Sequence, residues 1–262
     1  MGTPLEGTIT LSPPQFDRGI IFGDTAQPKQ NVYEQSATQN YAVGTKLVYA
    51  DREFHYAKNG ADALTIGRMN VGSVMVTDVE NLAQATSGAD QEIGDVQILM
   101  DVATGGTWVE NEYAEGYLLI NDATGEGEIY RVLANKIRST DTLMDVLLET
   151  PLRTAWAIGT EVTMIKNKWY GVVVSPTTAS GAFAGVNLVA VTAAYYCWLQ
   201  TKGYAPIYVD DGDTLIIGNV AGLGGTDAGA CDEVAADTTA VFGTTVSIAA
   251  ADEAAIIDLG TG

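Results

Sequence analysis

Between Lys168 and Lys202 the sequence contains no charged side chain. The stretch is rich in Val, Ala, Thr and aromatic residues, and it ends in an apolar run over residues 185–203. It is long enough to span a bilayer, but Pro176, several glycines and Asn187 interrupt it, so strands fit it better than a membrane helix. A strand that is buried on both faces needs no alternating polar positions. The stretch therefore predicts the buried strands around which a β-domain and its subunit contacts are organised.

The rest of the composition favours an all-β fold. Gly is abundant at 29 residues, Thr and Val recur, and turn signals return along the whole sequence without a long helical period. Residues 1–40 hold four of the seven prolines and little apolar pattern, which predicts an extended N-terminal arm. A small-residue connector over 175–185 predicts a domain boundary. We expect two β-sandwich or barrel-like modules, an N-terminal β domain at 41–175 and a C-terminal β domain at 176–262.

Local patterns predict individual strands and turns. Residues 44–58 resemble two strands joined near Ala50 and Asp51, and residues 59–67 a short helical turn. Asn, Asp and Gly at 121–127 predict a tight hairpin, because these residues tolerate left-handed backbone conformations. Further strands are predicted at 73–79, 95–99, 117–121, 128–134, 142–149, 161–165, 186–192, 195–201, 205–209, 214–218, 241–248 and 254–259.

The formal net charge of −20 is unevenly distributed. Residues 1–161 hold 23 acidic and 10 basic side chains, residues 162–209 hold three basic and no acidic ones, and residues 210–262 hold ten acidic and no basic ones. Nucleic-acid phosphates repel such a surface, and no Lys/Arg cluster offers the counterion release that drives binding to them. We therefore expect no nucleic-acid partner, although solubility alone also explains the charge.

Cysteine usage and the N-terminus indicate where the protein is made. Cys197 and Cys231 belong to no Cys-x-x-Cys or Cys/His cluster, so they are predicted to be small buried side chains in a reducing compartment. Residues 1–6 lack the basic region and apolar core of a secretory signal. We expect a soluble protein made in a cytoplasm, with no membrane partner.

Residues that could perform catalysis lack a recognisable constellation. His55 lies in the middle of a predicted strand, with no nucleophile motif around it, and we expect it on the wetter face of that strand. Any two of the 33 carboxylates could form a glycosidase pair, but the sequence does not give their separation. We therefore predict no enzyme activity and no catalytic residue, with a carboxylate-based hydrolase of surface polysaccharides as an alternative.

Two loops resemble ligand sites only superficially. Asp210–Asp213 clusters carboxylates but lacks the alternating spacing and distal Glu of a calcium loop, so it is interpreted as a hairpin turn. Gly222–Gly229 lacks the Lys-Ser/Thr of a phosphate loop, and acidic residues follow it. The sequence predicts no metal site and no cofactor.

Aromatic residues at the end of the uncharged stretch are the candidate interface. Because adjacent strand residues point to opposite faces, Tyr196 and Trp198 should share one face while Tyr195 shares the other with Cys197. Aromatic side chains dominate both cores and interfaces, and a sugar-binding platform is the alternative. We predict that Tyr195, Tyr196, Trp198 and Tyr204 form an interface with another protein subunit.

A set of packing and turn motifs recurs in order over about residues 41–262: Gly44-Thr, Phe54-His-Tyr-Ala57, Ala63-Leu64, Gly67, Gly116-Tyr-Leu-Leu-Ile-Asn-Asp122, Gly125-Glu-Gly-Glu-Ile-Tyr130, Leu148-Glu-Thr-Pro-Leu152, Gly185-Val186, Tyr195-Tyr-Cys-Trp-Leu-Gln-Thr-Lys-Gly203, Ala240-Val-Phe-Gly-Thr244 and Ala255-Ile-Ile-Asp-Leu259. In this order the motifs resemble the virion structural proteins of tailed bacteriophages, and they are most similar to the capsid decoration, or cement, proteins of these phages.

The resemblance implies a non-enzymatic protein displayed on the outer surface of a phage capsid, which it stabilises. Its expected partners are the major capsid protein and itself, as a homotrimer at local three-fold positions. It would be made in the host cytoplasm and located in the virion. An acidic surface suits the outer side of a shell, since the inner side faces packaged DNA. A phage tail or fibre protein that binds host-surface glycans is the alternative, and a tail-tube or head-completion subunit would look similar in sequence.

Overall fold

The computed structural model describes residues 10–11, 29–75, 84–85, 90–101, 108–136, 143–211, 214–234 and 240–260. These residues form strands and turns and contain no helix, which confirms the predicted all-β class. None of the described residues therefore belongs to a helix that could cross a membrane. In chain order the described strands are β1 (Thr10–Leu11), β2 (Lys46–Tyr49), β3 (Arg52–Asn59), β4 (Met69–Val71), β5 (Gln84–Ala85), β6 (Gln97–Asp101), β7 (Tyr117–Ile120), β8 (Ile129–Asn135), β9 (Leu143–Leu148), β10 (Glu161–Ile165), β11 (Tyr170–Val174), β12 (Phe183–Asn187), β13 (Tyr196–Tyr208), β14 (Val220–Leu223), β15 (Cys231–Glu233), β16 (Val241–Thr245) and β17 (Ala254–Leu259).

The chain folds as two compact units. The first comprises Met1–Val74 together with Lys168–Gly262, and the second comprises Met75–Asn167, so the second is inserted into the sequence of the first. This grouping differs from the modules at 41–175 and 176–262 that the sequence predicts. β11 and β12 lie on either side of residue 175 and both pair with β4, so the predicted boundary falls between two strands of the same sheet.

An eleven-stranded sheet forms the first unit, in the order β1-β2-β3-β11-β4-β12-β13-β17-β16-β14-β15. β3 also pairs with β13, so β3, β11, β4, β12 and β13 form a closed ring in which each strand has two hydrogen-bonded neighbours. Side chains from four of these strands pack into one cluster that includes Ala57, Ala184 and Cys197. Small side chains suit a narrow ring, because little space separates its opposite strands.

Burial of β13 on both faces explains the uncharged stretch. Tyr196 and Trp198 pack with Phe54 on one side of the strand, while Cys197 and Leu199 belong to the cluster on the other side. The strand pairs with β3 along one edge and with β12 along the other, so its backbone donors and acceptors are also satisfied. The prediction that this stretch supplies buried strands is confirmed, as is the prediction that Cys197 and Cys231 are buried and free.

β13 continues through a position where the sequence predicts an interruption. Gly203 has a φ of 79°, which glycine adopts without strain, and the strand then pairs with β17 as far as Tyr208. The side-chain amide of Gln200 donates to the carbonyl oxygens of Lys202 at 3.0 Å and Tyr204 at 2.9 Å, one on each side of Gly203. The predicted strands at 195–201 and 205–209 are therefore one continuous strand, which belongs to both halves of the sheet.

The described part of the predicted N-terminal arm packs against its own chain. β1 pairs antiparallel with β2, and the carbonyl oxygen of Gln30 accepts the indole N–H of Trp198 at 3.0 Å. Val32 is buried in the aromatic cluster, and Ser36 forms a β-bridge with Tyr196. Residues 1–9 and 12–28 of the predicted arm lie outside the described residues.

A six-stranded antiparallel sheet forms the second unit, in the order β5-β10-β7-β8-β9-β6. One face packs on a core that includes Trp108, Tyr113, Leu118, Tyr130 and Val146. The predicted hairpin at 121–127 is confirmed, since it joins β7 to β8 and its residues include three with positive φ.

Several local predictions need correction. The two strands and the turn within residues 44–58 are confirmed, but residues 59–67 contain a β-bridge at Leu64 instead of a helical turn. The predicted strand at 214–218 is absent, since 214–216 have no regular structure and 217–218 form a turn; residues 73–75 are also not in a strand, and 76–79 lie outside the described residues. Both errors come from apolar residues that are exposed outside strands: Val74, Ile216 and Ile217. Two residues of the predicted Asp210–Asp213 turn also lie outside the described range.

Candidate interaction surface

The four aromatic residues predicted as an interface lie in different environments. Tyr195 and Tyr196 are half-buried on opposite sides of β13, as the alternation predicts. Trp198 is 1% exposed, whereas Tyr204 is 54% exposed. The structure therefore does not bring the four side chains together on one surface. Tyr204 offers the exposed side chain for the predicted contact, and the interface itself stays a prediction.

Trp198 is enclosed by aromatic side chains of its own chain. Its ring lies 5.0 Å from that of Tyr56 in an edge-to-face arrangement, and 5.3 Å from that of Tyr41. Its Nε1–H donates to a backbone oxygen, as described above, so the polar end of the indole is also satisfied inside the unit. Tyr196 stacks on Tyr56 from the neighbouring position. These contacts assign Trp198 to the core.

An exposed apolar surface surrounds Tyr204 on the outward side of the sheet. Tyr204 lies opposite Asp258, which lies opposite Thr244, which in turn lies opposite Val220, so this row crosses four strands on one face. In the next row Pro206 lies opposite Ile256. The alternate residues of the same strands point into the core of the unit. We call Tyr204, Pro206, Val220 and Ile256, all exposed, the Tyr204 face.

The second unit presents another apolar surface on the outward side of its sheet. Ile165 lies opposite Tyr117, and Ile129 lies opposite Leu119, while Arg131 and Thr163 complete these two rows on the remaining strand of each. Leu133 on β8 and Leu147 on β9 extend this surface to a fourth strand. We call the exposed residues the Tyr117 face: Tyr117, Ile129, Leu133, Leu147 and Ile165.

Acidic groups beside the Tyr117 face are paired with bases. Arg131 lies between Ile129 and Leu133 on β8, opposite Tyr117, and its guanidinium is 3.5 Å from Glu149. Lys136 forms an ion pair with Asp145, and this hydrogen bond is the main cause that holds the pKa of the Asp145 carboxyl below its ordinary value. Lys136 and Asp145 also line a cavity of about 210 Å³. Ion pairs of the same kind occur elsewhere among the described residues, as between Lys46 and Glu53 and between Lys166 and Glu112.

His55 is held as a half-buried strand residue. Its ring stacks on Trp169 with centroids 4.2 Å apart, and its Nδ1 lies 3.1 Å from Oγ1 of Thr201. Burial, helped by the charges of Lys168 and Lys46, lowers the pKa of His55 to about 4, so its ring is neutral at pH 7. His55 is thus less buried than its neighbours Phe54 and Tyr56 on the other face of β3, in agreement with the predicted wetter face.

Asp210 connects the glycine-rich loop to the end of β13. Its buried carboxylate accepts the backbone N–H groups of Thr226 at 2.9 Å and Asp227 at 2.6 Å. A Cβ at Gly224 would lie 2.6 Å from the carboxyl carbon of Asp210, so the loop approaches this side chain closely. The described residues contain no cluster of three or more His, Cys, Asp or Glu side chains that could hold a metal ion. The role of Asp210 in the structure is therefore to position the loop.

Both cysteine thiols are buried in the core. Burial raises the pKa of Cys197 and that of Cys231 to about 12, so neither forms a thiolate near neutral pH. Since the thiolate is the reactive form of cysteine, neither side chain suits nucleophilic catalysis in this structure.

Sequence reasoning missed most members of both faces, although the sequence carries a signal for each. β7 reads Tyr-Leu-Leu-Ile, with apolar residues at the inward and the outward positions. A strand that is solvated on one face normally carries polar residues at alternate positions. For the Tyr204 face, Ile256 and Ile257 are adjacent on β17, one exposed and one buried, which is the same kind of signal.

No protein-family model, no curated protein and no solved structure matches this chain.

Proposed function

We propose that the chain is a non-enzymatic structural protein of a phage virion, which binds the outer surface of the capsid and stabilises it as a decoration protein. The observation that carries the proposal is the Tyr204 face, a largely apolar exposed surface that extends over four paired strands of the sheet. Cementing a shell requires apolar surface laid across a seam, and binding only the assembled shell stabilises it by mass action. Repeated copies on one shell strengthen the effect.

Two charged residues restrict what can bind the Tyr204 face. Asp258 lies within the face, opposite Tyr204, and Lys202 precedes Tyr204 on β13 with its ammonium group 3.8 Å from Glu53. A partner surface therefore needs a basic or hydrogen-bond-donating group opposite Asp258, surrounded by apolar side chains. The two proposed modules, the arm over residues 1–40 and the expected homotrimer all belong to this same proposal, as does its location on the virion.

Binding to capsid shells tests the proposal. Expanded shells of the encoding phage, assembled without the protein, are mixed with the purified full-length chain and sedimented, and their resistance to heat is measured. We expect the chain to sediment with the shells and to raise the temperature at which they disassemble. Ile256→Arg should weaken binding, because it places a charge in the Tyr204 face. Ile66→Arg is a matched control, since Ile66 has similar exposure in a turn of the same unit. Failure of the wild-type chain to bind would refute the proposal.

The alternative of a tail or fibre protein that binds glycans would rest on Tyr204, because Trp198 is buried. A glycan-array signal that Tyr204→Ser abolishes, with no binding to shells, would favour this alternative. Replacement of the buried Trp198 cannot serve that test, since it would disturb the fold.

A further inference from the structure

Two lysines share one carboxylate on the side of β3 that carries His55. Lys46 on β2 lies directly opposite His55, and its Nζ is 2.7 Å from Oε2 of Glu53. On β13, Lys202 lies opposite Glu53 itself, with its Nζ 3.8 Å from Oε1. Each oxygen of the carboxylate thus lies near a different ammonium group. One negative charge is left to compensate two positive charges.

A third lysine reaches the same place from a distant part of the chain. The Nζ of Lys168, just before β11, lies 4.3 Å from the centroid of the Trp169 ring, which stacks on His55. No carboxylate of the described residues lies within ion-pairing distance of this ammonium group. Burial lowers the pKa of Lys168, so its charge is partly removed from water. A charge in this situation is unfavourable unless it is paired, and a bound anion would pair it.

The three lysines give this place a positive charge in an acidic chain. Burial is the main cause that lowers the pKa of His55, the charges of Lys168 and Lys46 lower it further, and Glu53 raises it. The imidazole is therefore neutral at pH 7, and the lysines outnumber the carboxylate three to one where the chain as a whole carries −20. We call these residues the His55 site: Lys46, Glu53, His55, Lys168, Trp169 and Lys202.

The chemistry of the His55 site favours carboxylates over phosphates. Phosphate sites commonly use the planar fork of Arg or successive backbone N–H groups. The His55 site instead offers ammonium groups, which act as point charges, and Glu53 within it repels a doubly charged phosphate more strongly than a single carboxylate. The half-buried ring of Trp169 adds apolar surface beside Lys168. Such a combination of cations and an aromatic ring suits a peptide segment better than a bare ion.

We infer that the His55 site binds an acidic segment of a partner protein, with a carboxylate of that segment paired with Lys168. A long polyanion such as a nucleic acid would also meet the acidic surface of the rest of the chain, which repels it. A short segment avoids most of this repulsion, since charges beyond about 8 Å are screened at physiological salt. The inference does not rest on the capsid proposal, because it concerns other residues than the Tyr204 face.

Nuclear magnetic resonance of His55 tests the inference, because His55 is the sole histidine of the sequence and its ring signals need no further assignment. The full-length chain is titrated with a short polyglutamate peptide at pH 7 and about 150 mM salt. We expect the ring C–H signals of His55 to shift to saturation with a dissociation constant below about 1 mM. Polyglutamine of the same length, which is uncharged, should cause no shift, and neither should inorganic phosphate at the same concentration.

A pair of lysine variants shows whether Lys168 holds the peptide. Lys168→Gln should weaken binding about five-fold or more, because it removes the cation that has no partner of its own among the described residues. Lys58→Gln is the matched control. Lys58 lies on the opposite side of β3, and its Nζ is 4.5 Å from the centroid of the Tyr170 ring, a contact like that of Lys168 with Trp169. It removes the same charge and should leave the affinity within about two-fold.

A variant with the opposite expected effect separates binding from a folding defect. Glu53→Gln should strengthen peptide binding by about two-fold or more, because it removes the carboxylate that competes for the lysines, and a disturbed fold would not do so. Absence of a His55 shift, equal losses in the two lysine variants, or phosphate binding as tight as that of the peptide would overturn the inference. Each of these results leaves the shell-binding experiment free to succeed or fail, because that experiment probes Ile256.

Discussion

Replacing Trp198 with Phe distinguishes a core role from an interface role for this side chain. The indole is 1% exposed, and its Nε1–H donates to the backbone oxygen of Gln30. Phe can keep ring contacts with Tyr41 and Tyr56, but it leaves that oxygen without its donor, which costs about 1–3 kcal/mol at a buried position. The smaller ring also buries roughly 50 Å² less apolar area, worth about 1 kcal/mol. We therefore expect the free energy of unfolding of the first unit to fall by about 2–4 kcal/mol.

Urea unfolding followed by far-ultraviolet circular dichroism measures this change. Tyr204→Phe on the same strand is the control, and because Tyr204 is 54% exposed it should change the free energy by less than about 0.5 kcal/mol. If Trp198 contributed mainly to an interface with another molecule, the isolated chain would unfold at the same urea concentration with either residue. A loss below about 0.5 kcal/mol for Trp198→Phe would refute the assignment of this residue to the core.

Three further substitutions test other parts of the fold. Gly203→Ala should lower the free energy of unfolding by about 2–4 kcal/mol, because the φ of Gly203 is 79° and a Cβ would lie 2.7 Å from a backbone oxygen. Gly218→Ala, at φ 86° in open space, should lower it by about 1 kcal/mol. Equal losses in urea unfolding would contradict the role of the close contact. Burial lowers the pKa of His55 to about 4 in the folded chain, so the unfolded chain takes up the proton first as the pH falls below about 6.5. Between pH 7 and pH 5, the free energy of unfolding of the wild type should therefore fall by about 1–2 kcal/mol more than that of His55→Gln. If the free energies of unfolding of the two proteins changed with pH in parallel, the proposed effect of His55 would be refuted. Asp210→Asn should speed hydrogen exchange at the backbone amides of Thr226 and Asp227, which donate to the Asp210 carboxylate. Asp211→Asn is the control, since Asp211 is exposed, and it should leave these exchange rates unchanged. Unchanged exchange in both variants would contradict the anchoring role of Asp210.

The all-β class and the central strand could be predicted because their signals are local. An uncharged, β-branched and aromatic stretch is what a strand buried on both faces requires, and β13 is such a strand. The hairpin at 121–127 was predictable for the same reason, since its turn residues dictate its backbone. The exact ends of strands, and the turns that contain apolar residues, were harder to predict from the sequence. Whether an apolar residue is exposed in a turn depends on neighbours that the local pattern does not reveal.

The closed ring and the placement of the candidate interface could not be predicted, because both depend on contacts between distant residues. The pairing of Trp198 with Tyr56 joins strands separated by more than half of the chain. Tyr41 and Gln30, which complete the environment of Trp198, belong to segments with little strand pattern of their own. Alternation correctly separates the two sides of β13, but it does not show that both sides are covered within the same unit.

The two exposed faces also change how the net charge of −20 should be interpreted. Repulsion between exposed charges falls off over about 8 Å at physiological ionic strength, so the groups close to a contact decide whether two surfaces can meet. At the Tyr117 face Arg131 is paired with Glu149, and Lys136 with Asp145, whereas Asp258 lies within the Tyr204 face. A partner at the Tyr204 face would therefore need a donor group opposite that carboxylate. The acidic composition, which by itself indicates only solubility, thus opposes contacts that bring unpaired carboxylates together.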